Sequence, residues 1–157
     1  MTRKDISIAL DELSYDELGA DERRVVDLAR QYTHNSYAPY SHFKVGAAIL
    51  LDNGEIVCGA NQENSAFPSG TCAERSACYS AGARFPDARF RIIAIAARGT
   101  DDLEVAQPCA PCGACRQALL EYETLAGQGV EVLLVGRDSI YRLPSVKSLL
   151  PLAFTGF

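Results

Sequence analysis

The sequence predicts a single α/β domain, a largely internal sheet covered by helices, and three observations carry that expectation. Apolar residues recur at helical spacing between Val25 and Tyr32, apolar runs of strand length recur at four later places, and no repeat, low-complexity tract or linker divides the chain. A chain of 157 residues suits one domain, which buries about two-thirds of the surface its unfolded form exposes. Its 48% hydrophobic and 22% charged composition is that of an ordinary globular protein.

Residues 1–20 read as an N-terminal extension. Their only apolar stretch, Ile6 to Leu10, is broken by Asp11-Glu12 and is too short for a signal-peptide core. From Asp21 to Tyr37 the apolar side chains Val25, Leu28, Ala29 and Tyr32 form one stripe of an amphipathic helix, which Pro39 ends. Phe43 to Leu51 is a strand, and Asp52-Asn53-Gly54 predicts a type I′ hairpin returning through Glu55 to Ala60. Asn61 to Thr71, rich in Asn, Ser, Pro and Gly, is a loop leading into a helix from Cys72 to about Ala83. Arg91 to Ala97 is a buried strand, followed by a charged loop from Arg98 to Gln107. A second helix starts after Pro111 and ends near Thr124, Val130 to Val135 is another buried strand, and Ser145 to Leu150 a short closing helix stopped by Pro151.

Charge narrows the partners. The net charge is −5 and the basic residues are scattered among acids, as in Asp21-Glu22-Arg23-Arg24. A chain that grips a nucleic acid backbone gathers its Lys and Arg on one face, so a small substrate without phosphates is expected and no nucleic acid. The longest apolar run, Val45 to Leu51, falls far short of the roughly 18 residues of a membrane span, so no membrane partner is expected and a cytoplasmic location is. In that reducing compartment the six cysteines are expected to be free or metal-bound.

Cys72-Ala73-Glu74 and the later Pro111-Cys112-Gly113-Ala114-Cys115 carry the chemistry. They offer three thiolates, Cys72, Cys112 and Cys115, to one Zn²⁺ ion. Three protein ligands leave a fourth position for water, and a nearby carboxylate that does not bind the metal, Glu74, can shuttle that water's protons. Both groups fall at helix starts, where unpaired N–H groups and the helix dipole favour thiolate. Cys112 and Cys115 lie about one turn apart, so their sulfurs can converge. Arg75 can donate to a ligand sulfur and offset the negative charge of three thiolates. Cys109 completes a second CxxC with Cys112, but Ala110 before Pro111 is pushed toward extended geometry, so Cys109 is expected in the loop. A closed four-cysteine structural zinc that includes Cys109 stands as the alternative. Cys58 and Cys78 read as small core residues, and His34 and His42 as loop or surface histidines.

Five stretches together resemble cytidine deaminase of the small, single-domain type: Tyr37-Ala-Pro-Tyr-Ser-His-Phe-Lys-Val-Gly-Ala-Ala48, Asn61-Gln-Glu-Asn64, Cys72-Ala-Glu-Arg75, Pro111-Cys-Gly-Ala-Cys-Arg-Gln117 and Leu149-Leu-Pro-Leu-Ala-Phe154. A cysteine-ligated zinc with a free Glu is the arrangement of the zinc nucleobase deaminases. The resemblance implies a three-layer α/β/α fold with a central five-stranded mixed sheet, formed by a catalytic domain over 21–157. It implies hydrolytic removal of ammonia from cytidine and 2′-deoxycytidine, with Glu74 as proton shuttle and Arg75 bonded to a zinc thiolate. Asn61 and Glu63 match the pair that holds the ribose 3′-hydroxyl, Phe43 the aromatic of the pyrimidine pocket, and Ala73 a backbone contact to the base. Phe154 matches a phenylalanine that enters a neighbouring subunit's site, which implies a homotetramer with shared active sites. Phe67 stands at a substrate-binding position where many relatives have tyrosine, Cys78 replaces an aliphatic residue, and the long Arg98 to Gln107 loop is expected near the site. Deamination of another aminopyrimidine nucleoside, such as blasticidin S, and a noncatalytic zinc module are the rival readings.

Overall fold

The computed structural model describes residues 1–155, so the last two residues of the expected 21–157 domain lie outside the described residues. The chain runs β1 (Asp11–Leu13), α1 (Ala20–Tyr32), β2 (Lys44–Leu51), β3 (Ile56–Ala60), α2 (Ala73–Arg84), β4 (Phe90–Arg98), α3 (Gly113–Ala126), β5 (Glu131–Val135) and β6 (Ile140–Leu143). One mixed sheet has the order β1-β6-β5-β4-β2-β3, with β4 and β5 parallel and every other neighbour antiparallel.

Alternation along each strand divides the core in two. Ala47, Ile49, Ile93, Ile95, Val132 and Leu134 face α2 and α3, and meet Ala73, Ala77, Leu119 and Leu120. Ala48, Leu50, Ala94, Ala96, Leu133 and Val135 face α1, and meet Val25, Val26, Ala29 and Leu18. Because both faces are covered, the inner strands read as continuous apolar runs. The three-layer α/β/α expectation is met, but the described sheet has six strands rather than five. The sixth, β1, lies within the N-terminal extension and pairs Asp11 with Arg142 and Leu13 with Ile140. Three residues, two of them acidic, carry no alternation from which a strand could be read.

Two local expectations are corrected. The first helix stops at Tyr32, not Tyr37, and a 3₁₀ turn follows at Thr33–Asn35. There the Thr33 hydroxyl donates to the Arg30 carbonyl at 2.7 Å, which satisfies one of the end carbonyls before Pro39 acts. The 52–54 hairpin is not type I′, because Gly54 has φ +87° while Asn53 does not take a positive φ. Gly54 N–H donates to Leu51 O and Leu51 N–H to Glu55 O, a three-residue loop closed by a left-handed glycine.

The topology positions the site. β2 runs antiparallel to both β3 and β4, so those two strands share a direction and the chain leaves them at the same edge of the sheet. The segments that follow lead to α2 and α3, both on the same face. Two helix N-termini are thereby brought together. Among the described residues no helix is long and apolar enough to cross a membrane.

Candidate active site

Cys72 is the N-cap of α2 and Cys112 the N-cap of α3, with Cys115 in the first turn of α3. The three sulfurs lie within 4.8 Å of one another. Cys112 and Cys115 sulfurs are 3.5 Å apart. Cys72 is pulled well below the ordinary thiol range, first by its hydrogen bond with Cys115 and then by Arg75 and Cys112, against the effect of burial. Cys115 is pushed up correspondingly, by the Cys72 bond first and by burial second. Arg75 Nη2 sits 3.9 Å from the Cys72 sulfur, and that bond raises its own pKa in return.

Glu74 lies in the first turn of α2, only 5% exposed. Burial holds its carboxyl above the usual carboxylate range and the Cys72 charge adds to this, while its own backbone N–H and Cys115 oppose it. A buried acid with a raised pKa beside three sulfurs is suited to exchanging protons with a group bound there.

Cys109 is half-buried in the loop and outside the three-sulfur group, so the structure does not bring it into a fourth ligand position. Burial pushes the Cys58 thiol up to about 11 and the Cys78 thiol up to about 12, the behaviour of core cysteines and not of ligands. His34 and His42 are exposed and take no part in the cluster.

A cleft of about 500 Å³ adjoins the cluster and is lined by Tyr40, Asn61, Glu63, Phe67, Cys72 and Arg75, among others. Glu63 accepts from the backbone N–H groups of Tyr40 (2.9 Å) and Ser41 (3.2 Å). Hydrogen bonds from Ser41 and Tyr40 hold its carboxyl below the usual range. Asn61 accepts from Val45 N–H at 2.8 Å and donates to Phe43 O at 2.9 Å, tying the start of β2 to the loop after β3. Each end of that amide has capacity for one more bond. Phe67 is 83% exposed on the cleft wall. Phe43, Ala73 and Phe154 lie off that wall. Phe43 is half-buried ahead of β2, Ala73 is fully buried as the first residue of α2, and Phe154 is 70% exposed with its carbonyl held by Gln117 at 2.9 Å.

A family model, the cytidine and deoxycytidylate deaminase zinc-binding region, matches residues 20–126. Over 135 residues the chain is 36% identical to the cytidine deaminase of Halalkalibacterium halodurans, across 86% of this chain and 95% of that protein. The chain belongs to the cytidine deaminase family. It is also similar to the crystal structure of cytidine deaminase from Burkholderia pseudomallei, with a TM-score of 0.70 and 36% identity over 83% of this chain and 97% of that one. The Mycobacterium tuberculosis cytidine deaminase structure gives a TM-score of 0.66 and 30% identity, over 88% of this chain and all of that one.

The cysteine cluster fits the family's metal, since three soft sulfur donors at two helix N-termini, one already drawn toward thiolate, are a zinc donor set. Sequence reasoning passed over several residues of this cytidine deaminase site. The backbone donors of Tyr40 and Ser41 that hold Glu63 carry no sequence signal, because nearly every residue has an N–H. Arg116 also went unassigned, although its place four residues after Cys112 was a visible cue.

Proposed function

We propose that this chain hydrolyses cytidine and 2′-deoxycytidine to uridine and 2′-deoxyuridine, releasing ammonia. One observation carries the reading: three cysteine sulfurs converge at two helix starts beside a buried acid that is not one of them. Cys72, Cys112 and Cys115 would hold zinc, which supplies Lewis acidity and makes a nucleophile of water near neutral pH.

The rest of the reaction falls to side chains. Water attacking C4 of the cytosine ring must give up one proton on attack and its second as the C4 carbonyl forms, while N3 gains one of them and the departing amine the other. Glu74, desolvated and raised in pKa, is suited to each of these transfers. Arg75 spreads the charge of the Cys72 sulfur. Asn61 and Glu63 offer the sugar a donor–acceptor pair from the cleft wall, and a site built so rejects analogues lacking the hydroxyl. The family resemblance assigns the base to Phe43 and the backbone of Ala73, which lie off the cleft wall in this structure, and Phe67 closes one side of the cleft.

The exposure of Phe154, at 70%, and of Leu152, at 86%, supports a homotetramer in which the C-terminal segment of one subunit completes the site of another. Residues 21–157 form the catalytic unit, with 1–20 as its extension, and the protein works in the cytoplasm.

The test follows the ultraviolet loss of cytidine and the release of ammonia with purified, zinc-quantified protein. Glu74→Gln is expected to keep its zinc and to lose about 10²-fold or more in turnover. Near-parental turnover in that variant, or no ammonia from either nucleoside with the parent, overturns the proposal.

A further inference from the structure

We propose that Arg116 is a positioning residue that locks the Cys112 sulfur in place, using the C-terminal segment as its fixed point. The inference rests on the reading of Cys112 as a zinc ligand. Cys112 ends an irregular stretch with no neighbouring strand to hold it, and its own side chain is exposed. Its geometry therefore depends on the two peptide planes that flank it.

Arg116 holds both. Its backbone N–H donates to the Cys112 carbonyl at 3.0 Å, the first hydrogen bond of α3. Its side-chain Nε donates to the Pro111 carbonyl at 2.7 Å, in the peptide plane whose other end is the Cys112 nitrogen. Pro111 is buried and its ring fixes φ, so holding the carbonyl leaves this plane little freedom.

The same guanidinium has a second partner. Nη1 donates to the Leu149 carbonyl at 2.9 Å, at the end of the 3₁₀ turn Val146–Leu149. A planar guanidinium carrying two charge-assisted bonds resists rotation, where a single bond would let it swing. The turn that supplies Leu149 is itself pinned by Glu123, whose carboxylate accepts from Ser145 Oγ at 2.7 Å, Val146 N at 2.7 Å and Lys147 N at 3.2 Å. Metal retention thus draws on a segment 33 residues away in sequence from Arg116. Next to it, the Gln117 side chain donates instead to the Phe154 carbonyl at 2.9 Å.

The test compares zinc release from zinc-loaded parent, Arg116→Met and Gln117→Ala into excess chromogenic chelator at neutral pH. Arg116→Met keeps the backbone bond to Cys112 and much of the stem but loses every side-chain donor; it is expected to release zinc about 10- to 100-fold faster, whereas Gln117→Ala releases at the parental rate. Arg116→Lys, which retains charge and donors, is expected to recover part of the difference. Parental release from Arg116→Met overturns the proposal, and so does equal acceleration by Gln117→Ala, which would mark general loosening of the helix. Should Arg116→Met fail to fold, Arg116→Gln takes its place with the same expected direction and the same overturning result. Release is read without substrate, so a protein that holds zinc and leaves cytidine untouched would sink the proposed activity and not this clamp.

Discussion

Replacing Gly59 by alanine puts a methyl group where α2 already lies. A Cβ built on Gly59 in β3 falls 2.5 Å from the Ala73 carbonyl oxygen and 2.5 Å from the Ala77 nitrogen. Both are backbone atoms of α2, so no rotamer change relieves the contact. Restoring ordinary contact near 3.5 Å requires the helix and strand to separate by roughly 1 Å. Overpacking of this kind costs about 1–3 kcal/mol, and each kcal/mol lowers Tm by about 2–4 °C in a domain of this size. Ala73 and Ala77 flank the turn that carries Glu74. Displacing that turn against the α3 cysteines by about 1 Å is expected to cost on the order of 10²-fold in kcat/KM on cytidine. Differential scanning calorimetry of the zinc-loaded protein, beside steady-state kinetics, reads both effects. β3 is an edge strand, so a lowered Tm with parental kinetics would mean the strand moved outward and the helix stayed. Parental values of both would refute the close-approach argument.

Other changes probe other parts of the fold. Leu18→Ala removes a side chain that is 4% exposed and seals the α1 side of the sheet; thermal unfolding should record a loss of about 2–5 kcal/mol, and an unchanged Tm would show the N-terminal segment to be dispensable. Glu123→Ala strands the buried backbone donors of Val130 and Val146, each costing about 1–3 kcal/mol, so denaturant unfolding should show a markedly lower midpoint. Burial, with the neighbouring Glu22, raises the Glu131 pKa above 4.5, so its favourable contribution is full below the unfolded value and is lost as pH rises through the folded one. Glu131→Gln is therefore expected to raise Tm at pH 7 and to lose that advantage near pH 4, and the same Tm difference at both pH values would contradict the assignment.

The parts of this protein that sequence reasoning reached are those where one residue type has one physical job. Val25 and Ala29 mark the buried side of α1 because helical spacing leaves few other roles for them. Cys112 and Cys115 were legible because thiols at helix-turn spacing after a proline have few other uses, and Cys72 because a carboxylate, Glu74, follows it two residues on; the structure gathers all three sulfurs. What stayed hidden depends on contacts distant in sequence. β6 is four residues long and β1 three, and both become strands only through the pairing of Arg142 with Asp11 and of Leu134 with Tyr141. Asn53-Gly54 suggested the right turn residues and the wrong turn type, since only the glycine takes the left-handed conformation. The Arg98 to Gln107 loop is tied by Asp102 to Lys44 at 2.8 Å and by Glu104 to Arg30 of α1 at 3.5 Å, and none of its residues lines the cleft or joins the three-sulfur group. Glu123 reads as an ordinary helix acid until the chain returns to it 22 residues later.

The common origin of α2 and α3 at one sheet edge has a bearing on chain length. With β4 fixed in the sheet at Arg98 and Cys112 fixed at its helix cap, the intervening segment spans two stationary points. The entropic penalty of such a span grows only logarithmically, by about 0.6 kcal/mol for each doubling. Within that segment Val105 N–H donates to Ala97 O and Val105 O accepts from Arg137 N–H, so insertions are tolerable at small thermodynamic expense at the exposed tip, residues 100–103, where new recognition elements can be accommodated while the three sulfurs keep their mutual distances.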